Sequence, residues 1–195
     1  DADKPGEIFS GERGWELRYL SLTLSMPPNR PVGSLPAHSE KPDPEKHIAL
    51  VSSKELTQEQ FKALLKTGPF SKKRALVFTH GFNTLFDDAV IRFAQIVEDT
   101  QFNGMPVLFS WPSRGSLSGY AADLSAIEAS EAQIADFLIA VSALADRGKV
   151  HIIAHSMGNR GLLRALHRAT TQAAMRAGTR FGQIFLSAPD ISTEV

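Results

Sequence analysis

The chain has 195 residues, enough for one domain with a substantial core. Hydrophobic residues make up 43%, and 21 basic residues balance 21 acidic ones, so there is no basic surplus to argue for a nucleic-acid partner. The absence of cysteine excludes disulfides, thiolate metal sites and cysteine nucleophiles, and no apolar run approaches the roughly 18 residues of a spanning helix.

No secretory signal is visible, and the first residue is Asp1 rather than Met, which reads as removal of something upstream. Residues 1–45 read as an N-terminal extension, and 46–195 as the core. Alternation over Trp15–Leu24 predicts a strand in the extension. Pro27, Pro28, Pro31, Pro42 and Pro44 then fit neither helix nor central strand, so this stretch reads as a surface loop. A second strand is expected over His47–Val51. Thr57-Gln58-Glu59-Gln60 has the capping-box pattern of a helix running to about Lys66, with Phe61, Leu64 and Leu65 on one face. Lys72-Lys73-Arg74 reads as a solvated turn.

From residue 74 onward, strands and helices alternate. Strands are expected at Arg74–Thr79, Pro106–Trp111, a run ending at His155, and Phe181–Ser187. Helices are expected at about Leu85–Thr100, at Leu117–Ala145 with a break near Ser125, and after Ser156 to Ala169 or further. Such alternation predicts a mostly parallel sheet with helices on both faces, of about six strands when the two early ones are counted.

Two segments carry the chemistry. In Val150–Asn159 an apolar strand stops at Ser156-Met157-Gly158 and a helix follows. This is a G-x-S-x-G elbow with Ala154 in the first small position and Gly158 in the second. Such a bend presents Ser156 as a nucleophile, clear of the sheet. The second segment is His80-Gly81-Phe82-Asn83, after the Arg74–Thr79 strand. Gly81 permits close approach. The N–H groups of Phe82 and Met157 are then the expected oxyanion donors, with Met157 at the positive end of a helix. His80 takes a supporting role.

The matching stretches VFTHGFN (77–83), FSWPS (109–113), IIAHSMGNR (152–160) and LSAPD (186–190) occur in that order. On them the chain resembles the bacterial esterase/lipase-like branch of the alpha/beta-hydrolase superfamily, a family largely of unknown function. The resemblance covers about residues 47–195. It implies the alpha/beta-hydrolase fold, an acyl-enzyme mechanism without cofactor, and an envelope or exported location. It also implies a triad in the order Ser, acid, His, with the His after an eighth strand. The chain ends just after its sixth strand, so it reads as truncated and short of its general base. Asp190 follows the sixth strand, where some lipases place the acid; the other reading is a turn aspartate that caps the next element.

The six histidines do not replace that base. His155 points away from its neighbour Ser156. His167 lies 11 residues along the next helix, roughly 16 Å distant at about 1.5 Å per residue. His151 reads as a core histidine, and His38 and His47 show no motif.

Arg160, Arg164 and Arg168 share one helix face. A solvated face is the favoured reading, over attraction of an anionic substrate or membrane surface. Trp111 and Tyr120 read as core or rim packing, and Asp123 as the anchor of its own helix. No H-E-x-x-H, P-loop or G-x-G-x-x-G occurs, so no metal or cofactor is expected. The sequence thus reads as a serine hydrolase acting on a small-molecule or lipid ester. A non-catalytic binding module and an acyltransferase are the alternatives.

Overall fold

The computed structural model describes residues 9–14, 16–34, 42–68, 74–146, 149–171 and 180–191. Trp15, His38, Lys72 and Lys73 lie outside the described residues. Four strands form one parallel sheet: β3 (Ala75–Thr79), β4 (Met105–Phe109), β5 (Val150–His155) and β6 (Ile184–Ser187), in the spatial order β4-β3-β5-β6. The first two strands, β1 (Tyr19–Ser25) and β2 (Ala49–Leu56), pair with each other in a separate antiparallel ribbon. The six expected strands are therefore present, but divided between two sheets. The ribbon also joins residues on either side of the 45/46 division.

β3 is buried at every position, as a run of Ala-Leu-Val-Phe-Thr covered on both faces should be. Its register pairs Phe78 with Leu108 on one side and with Ile153 on the other. Helices cover both faces. Ala75, Val77, Met105, Val107 and Phe109 face a large cluster. That cluster is completed by α1 (Gln58–Thr67), α3 (Tyr120–Ala129), α4 (Glu131–Leu144) and α5 (Gly158–Thr171). Leu76 and Phe78 point the other way, onto Phe93, Ile96 and Val97 of α2 (Phe86–Asp99). Phe78 and Phe93 stack at 5.4 Å.

The capping box at α1 is formed. The Thr57 hydroxyl accepts from the Gln60 N–H at 3.2 Å, and the Gln60 side chain accepts from the Thr57 N–H at 2.9 Å. Such a cap contributes about 1 kcal/mol. Several boundaries differ from expectation: β1 starts only at Tyr19 and β4 ends at Phe109 rather than Trp111. β2 runs on to Leu56, and β6 starts only at Ile184. The break between α3 and α4 lies at Ser130 rather than near Ser125. There the Ser130 hydroxyl donates to the Ala126 carbonyl at 2.9 Å, satisfying the end of α3 where the axis turns.

Candidate active site

The C-terminal ends of β3, β4, β5 and β6 bring the motif residues together. Ser156 follows β5 with φ at +49°, a left-handed conformation that costs an L-residue about 1–2 kcal/mol. The bend is fixed from several sides. The Ser156 N–H donates to the Ser187 carbonyl at 2.9 Å. The Ser156 carbonyl accepts from the Asn159 side chain at 2.8 Å, the Asn159 N–H at 3.1 Å and the Asp190 N–H at 3.3 Å. The Ser156 side chain is only partly buried, and its hydroxyl makes no hydrogen bond among the described residues.

Ala154 is fully buried, and Gly158 is where α5 meets the end of β3. A Cβ on Gly158 would sit 2.4 Å from the His80 carbonyl oxygen and 3.0 Å from that of Thr79. Gly81 is equally confined. A Cβ there would lie 2.8 Å from the Ser156 Cβ and 2.8 Å from Nδ1 of His155. The His80–Asn83 loop thus touches the elbow directly. Phe82 follows Gly81, and its ring meets Tyr120 edge-on at 5.2 Å. Met157 buries its side chain completely in the main core. Neither the Phe82 nor the Met157 N–H finds an acceptor among the described residues.

His80 is locked into the interior. Its Nδ1 donates to the Gly81 carbonyl at 3.0 Å, while its Nε2 accepts from the Trp111 N–H at 3.2 Å and the Ser110 hydroxyl at 3.0 Å. Trp111 stacks on it at 4.9 Å and is itself buried. Burial pushes the imidazole pKa down to about 4, so the ring is neutral near pH 7. With both nitrogens occupied, His80 braces the loop.

Two other histidines are held away from the serine. His151 accepts from the Gln183 N–H at 3.1 Å, and His47 from the Asp43 N–H at 3.0 Å. His155 rests beside Gly81, its pKa lowered by burial and by Arg92.

Asp190 sits beside the elbow through its N–H, but its carboxylate accepts from the Tyr120 hydroxyl at 2.9 Å. The same bond raises the Tyr120 pKa. Arg160 donates to the Asp190 carbonyl at 3.3 Å. Arg164 and Arg168 instead pair with Glu128 at 3.2 Å and Glu131 at 3.9 Å. That helix face is therefore laced to α3 and α4 rather than merely solvated.

Two residues matter more than their sequence signal suggested. Asp123, fully buried in the first turn of α3, accepts from the Ser113 hydroxyl at 2.6 Å, the Arg114 N–H at 2.7 Å and the Asn83 N–H at 3.3 Å. Ser113 in turn accepts from the Thr84 N–H at 3.1 Å. Asp123 thus anchors the loops after β3 and β4, not only its own helix. Asn159 ties the β5 and β6 tips together, since its side chain also donates to the Ser187 carbonyl at 3.1 Å. A lone Asp and a lone Asn give no periodic signal, and only the fold reveals their partners.

A strand, a left-handed serine and a helix, with a His-Gly loop packed on the serine, describe a recurrent architecture. A family model described as alpha/beta hydrolase of unknown function (DUF900) matches residues 53–195. The chain belongs to this alpha/beta-hydrolase family. No curated protein and no solved structure matches it. Within the alpha/beta hydrolase the described residues hold no group of three or more His, Cys, Asp or Glu able to bind a metal ion, and no helix long and apolar enough to cross a membrane.

Proposed function

We propose that this alpha/beta hydrolase is a serine hydrolase that cleaves an ester or related acyl bond in a small-molecule or lipid substrate. Ser156 attacks the carbonyl carbon, and the Phe82 and Met157 N–H groups take the oxyanion. In this reading the serine proton passes to a base outside the described residues; among those described, His80 has both nitrogens occupied and His47 and His151 bond to backbone elsewhere, while the His155 ring lies beside Gly81. Asp190 is the acid proposed to orient that base, which requires its carboxylate to exchange the Tyr120 hydroxyl for an imidazole N–H. Collapse of the tetrahedral intermediate expels the alcohol, and water then releases the acyl group.

The observation that carries this reading is the strained, unbonded serine in contact with the Gly81 loop. Strain of this kind persists where the surrounding structure enforces it, and it clusters at reacting groups. The test is labelling of the full-length protein with a fluorophosphonate probe, beside Ser156→Ala. Labelling that vanishes in the variant supports the reading, together with a fall in nitrophenyl-ester turnover of about 10³-fold or more. A folded protein that takes no label is a binding module instead.

A further inference from the structure

The three arginines on one face of α5 have different surroundings. Arg164 and Arg168 pair with Glu128 and Glu131. Arg160 pairs with no carboxylate among the described residues, and its one side-chain hydrogen bond there runs from Nη1 to the Asp190 carbonyl at 3.3 Å. Its Nε is buried without a partner. With Nη1 occupied, the free edge of the guanidinium is the one formed by Nε and Nη2. That edge meets a carboxylate or a phosphate side-on, through two parallel bonds.

The position disfavours a cation. Arg160 stands in the first turn of α5, at the positive end of the helix dipole, and that turn holds no acidic residue. The side chain is also partly buried, with no ion pair to offset its desolvation. Asp190 does not supply one, because its carboxylate is turned to the Tyr120 hydroxyl at 2.9 Å. That bond raises the Tyr120 pKa, and the Arg160 charge acts on the same hydroxyl in the opposite sense. The three groups therefore share one neighbourhood.

That neighbourhood is the rim around the serine. The Arg160 N–H donates to the Met157 carbonyl at 3.0 Å, and the Asp190 N–H to the Ser156 carbonyl at 3.3 Å. Gly81 packs on Ser156 from the other side, and the Phe82 ring meets Tyr120. Tyr120 closes the circle back onto Asp190. A guanidinium, a helix N-terminus and two free N–H groups thus converge on Ser156, against one carboxylate that is already bonded.

We propose that Arg160 binds an anionic group of the substrate, a carboxylate or phosphate, beside Ser156. The proposal rests on the serine-hydrolase reading for what is cleaved, and it adds the class: an acidic ester, charged within side-chain reach of the scissile bond. The anion meets Nη2 first. Nε lies beneath the rim, so the second bond forms as a rim side chain moves. Release of Tyr120 from Asp190, which the acid role of Asp190 already requires, is such a movement. An arginine that only pinned the loop after β6 would use Nη1 alone.

Two measurements on the full-length protein test this. In the first, the Arg160 Nε–H signal is followed by NMR in the Ser156→Ala variant while butyrate, methyl phosphate or neutral methyl butyrate is added. A saturable shift with one of the anions and none with methyl butyrate is expected, and the anion that acts tells carboxylate from phosphate. No shift with either anion overturns the proposal, whether or not Ser156 takes a fluorophosphonate label. The second compares turnover of phenyl butyrate with two analogues that carry the bound anion, one on the acyl chain and one on the phenyl ring. One charged ester is expected to be preferred, and Arg160→Gln to lower that preference by about tenfold or more, with part regained in Arg160→Lys. Equal losses on charged and neutral esters would make Arg160 a structural residue and overturn the proposal, while leaving Ser156 as the nucleophile.

Discussion

Ser156 carries a conformational cost that a serine in an ordinary turn does not. At φ +49° its Cβ crowds the backbone by about 1–2 kcal/mol, and its hydroxyl returns no hydrogen bond among the described residues. Glycine would relieve the strain but loses about 0.5–1 kcal/mol more chain entropy on folding. Ser156→Gly is therefore expected to unfold at the same urea concentration as the parent or slightly higher, while Ser156→Val unfolds earlier by at least about 1 kcal/mol. A glycine variant clearly less stable than the parent would show that the serine side chain makes a contact the structure does not contain. His80 sets a second expectation. Its folded pKa of about 4 lies below an unfolded value near 6.5. Between these the unfolded chain binds the proton and the folded one does not, so its stabilising contribution is full above about pH 6.5 and declines as pH falls toward 4. The loss reaches about 3 kcal/mol at most. Burial lowers the His151 and His155 pKa values too, in the same sense. Urea unfolding from pH 7 to 4.5 should show this slope, and His80→Gln should flatten it; an unchanged slope in that variant would remove the assignment.

Between elements, two glycines of α5 make contrasting contacts. Gly158 faces the backbone oxygens of His80 and Thr79, which cannot turn aside. Gly161 faces the Ile127 side chain, whose Cδ1 would lie 2.6 Å from an added Cβ. That side chain can change rotamer, and alanine gains about 1 kcal/mol of helix propensity over glycine. Gly158→Ala is accordingly expected to cost about 3 kcal/mol or more, and Gly161→Ala to stay within about 1 kcal/mol of the parent, as read from thermal unfolding. Equal losses would mean that helix α5 docks on β3 less tightly than these distances require. The elements themselves were legible because each has its own period: α1 by its capping box and apolar face, β3 and β5 by short apolar runs between turn residues. The α3–α4 break falls at Ser130 and not near Ser125, because an alanine-rich stretch holds no strong stop signal and the turn is set by packing.

For the whole molecule, β6 is the described strand of the parallel sheet with a run of three exposed apolar side chains. Ile184, Phe185 and Leu186 are 39%, 49% and 43% exposed, and among the described residues no strand pairs the outer edge of β6. An apolar strand with a free edge is a template for association. The 195-residue chain is expected to self-associate with rising concentration in sedimentation, and Phe185→Lys to shift it toward monomer; a parent that stays monomeric would contradict this. The sequence by itself determined the elements and the order of the HGFN, HSMGN and APD segments, because hydrophobic period and turn chemistry are local. Only the tertiary structure decided that six strands divide between two sheets, that Asp123 and Asn159 pin the loops around Ser156, and that Tyr120 holds the Asp190 carboxylate. Those outcomes depend on hydrogen bonds and edges between segments tens of residues apart, which the folded chain brings together and no local pattern encodes.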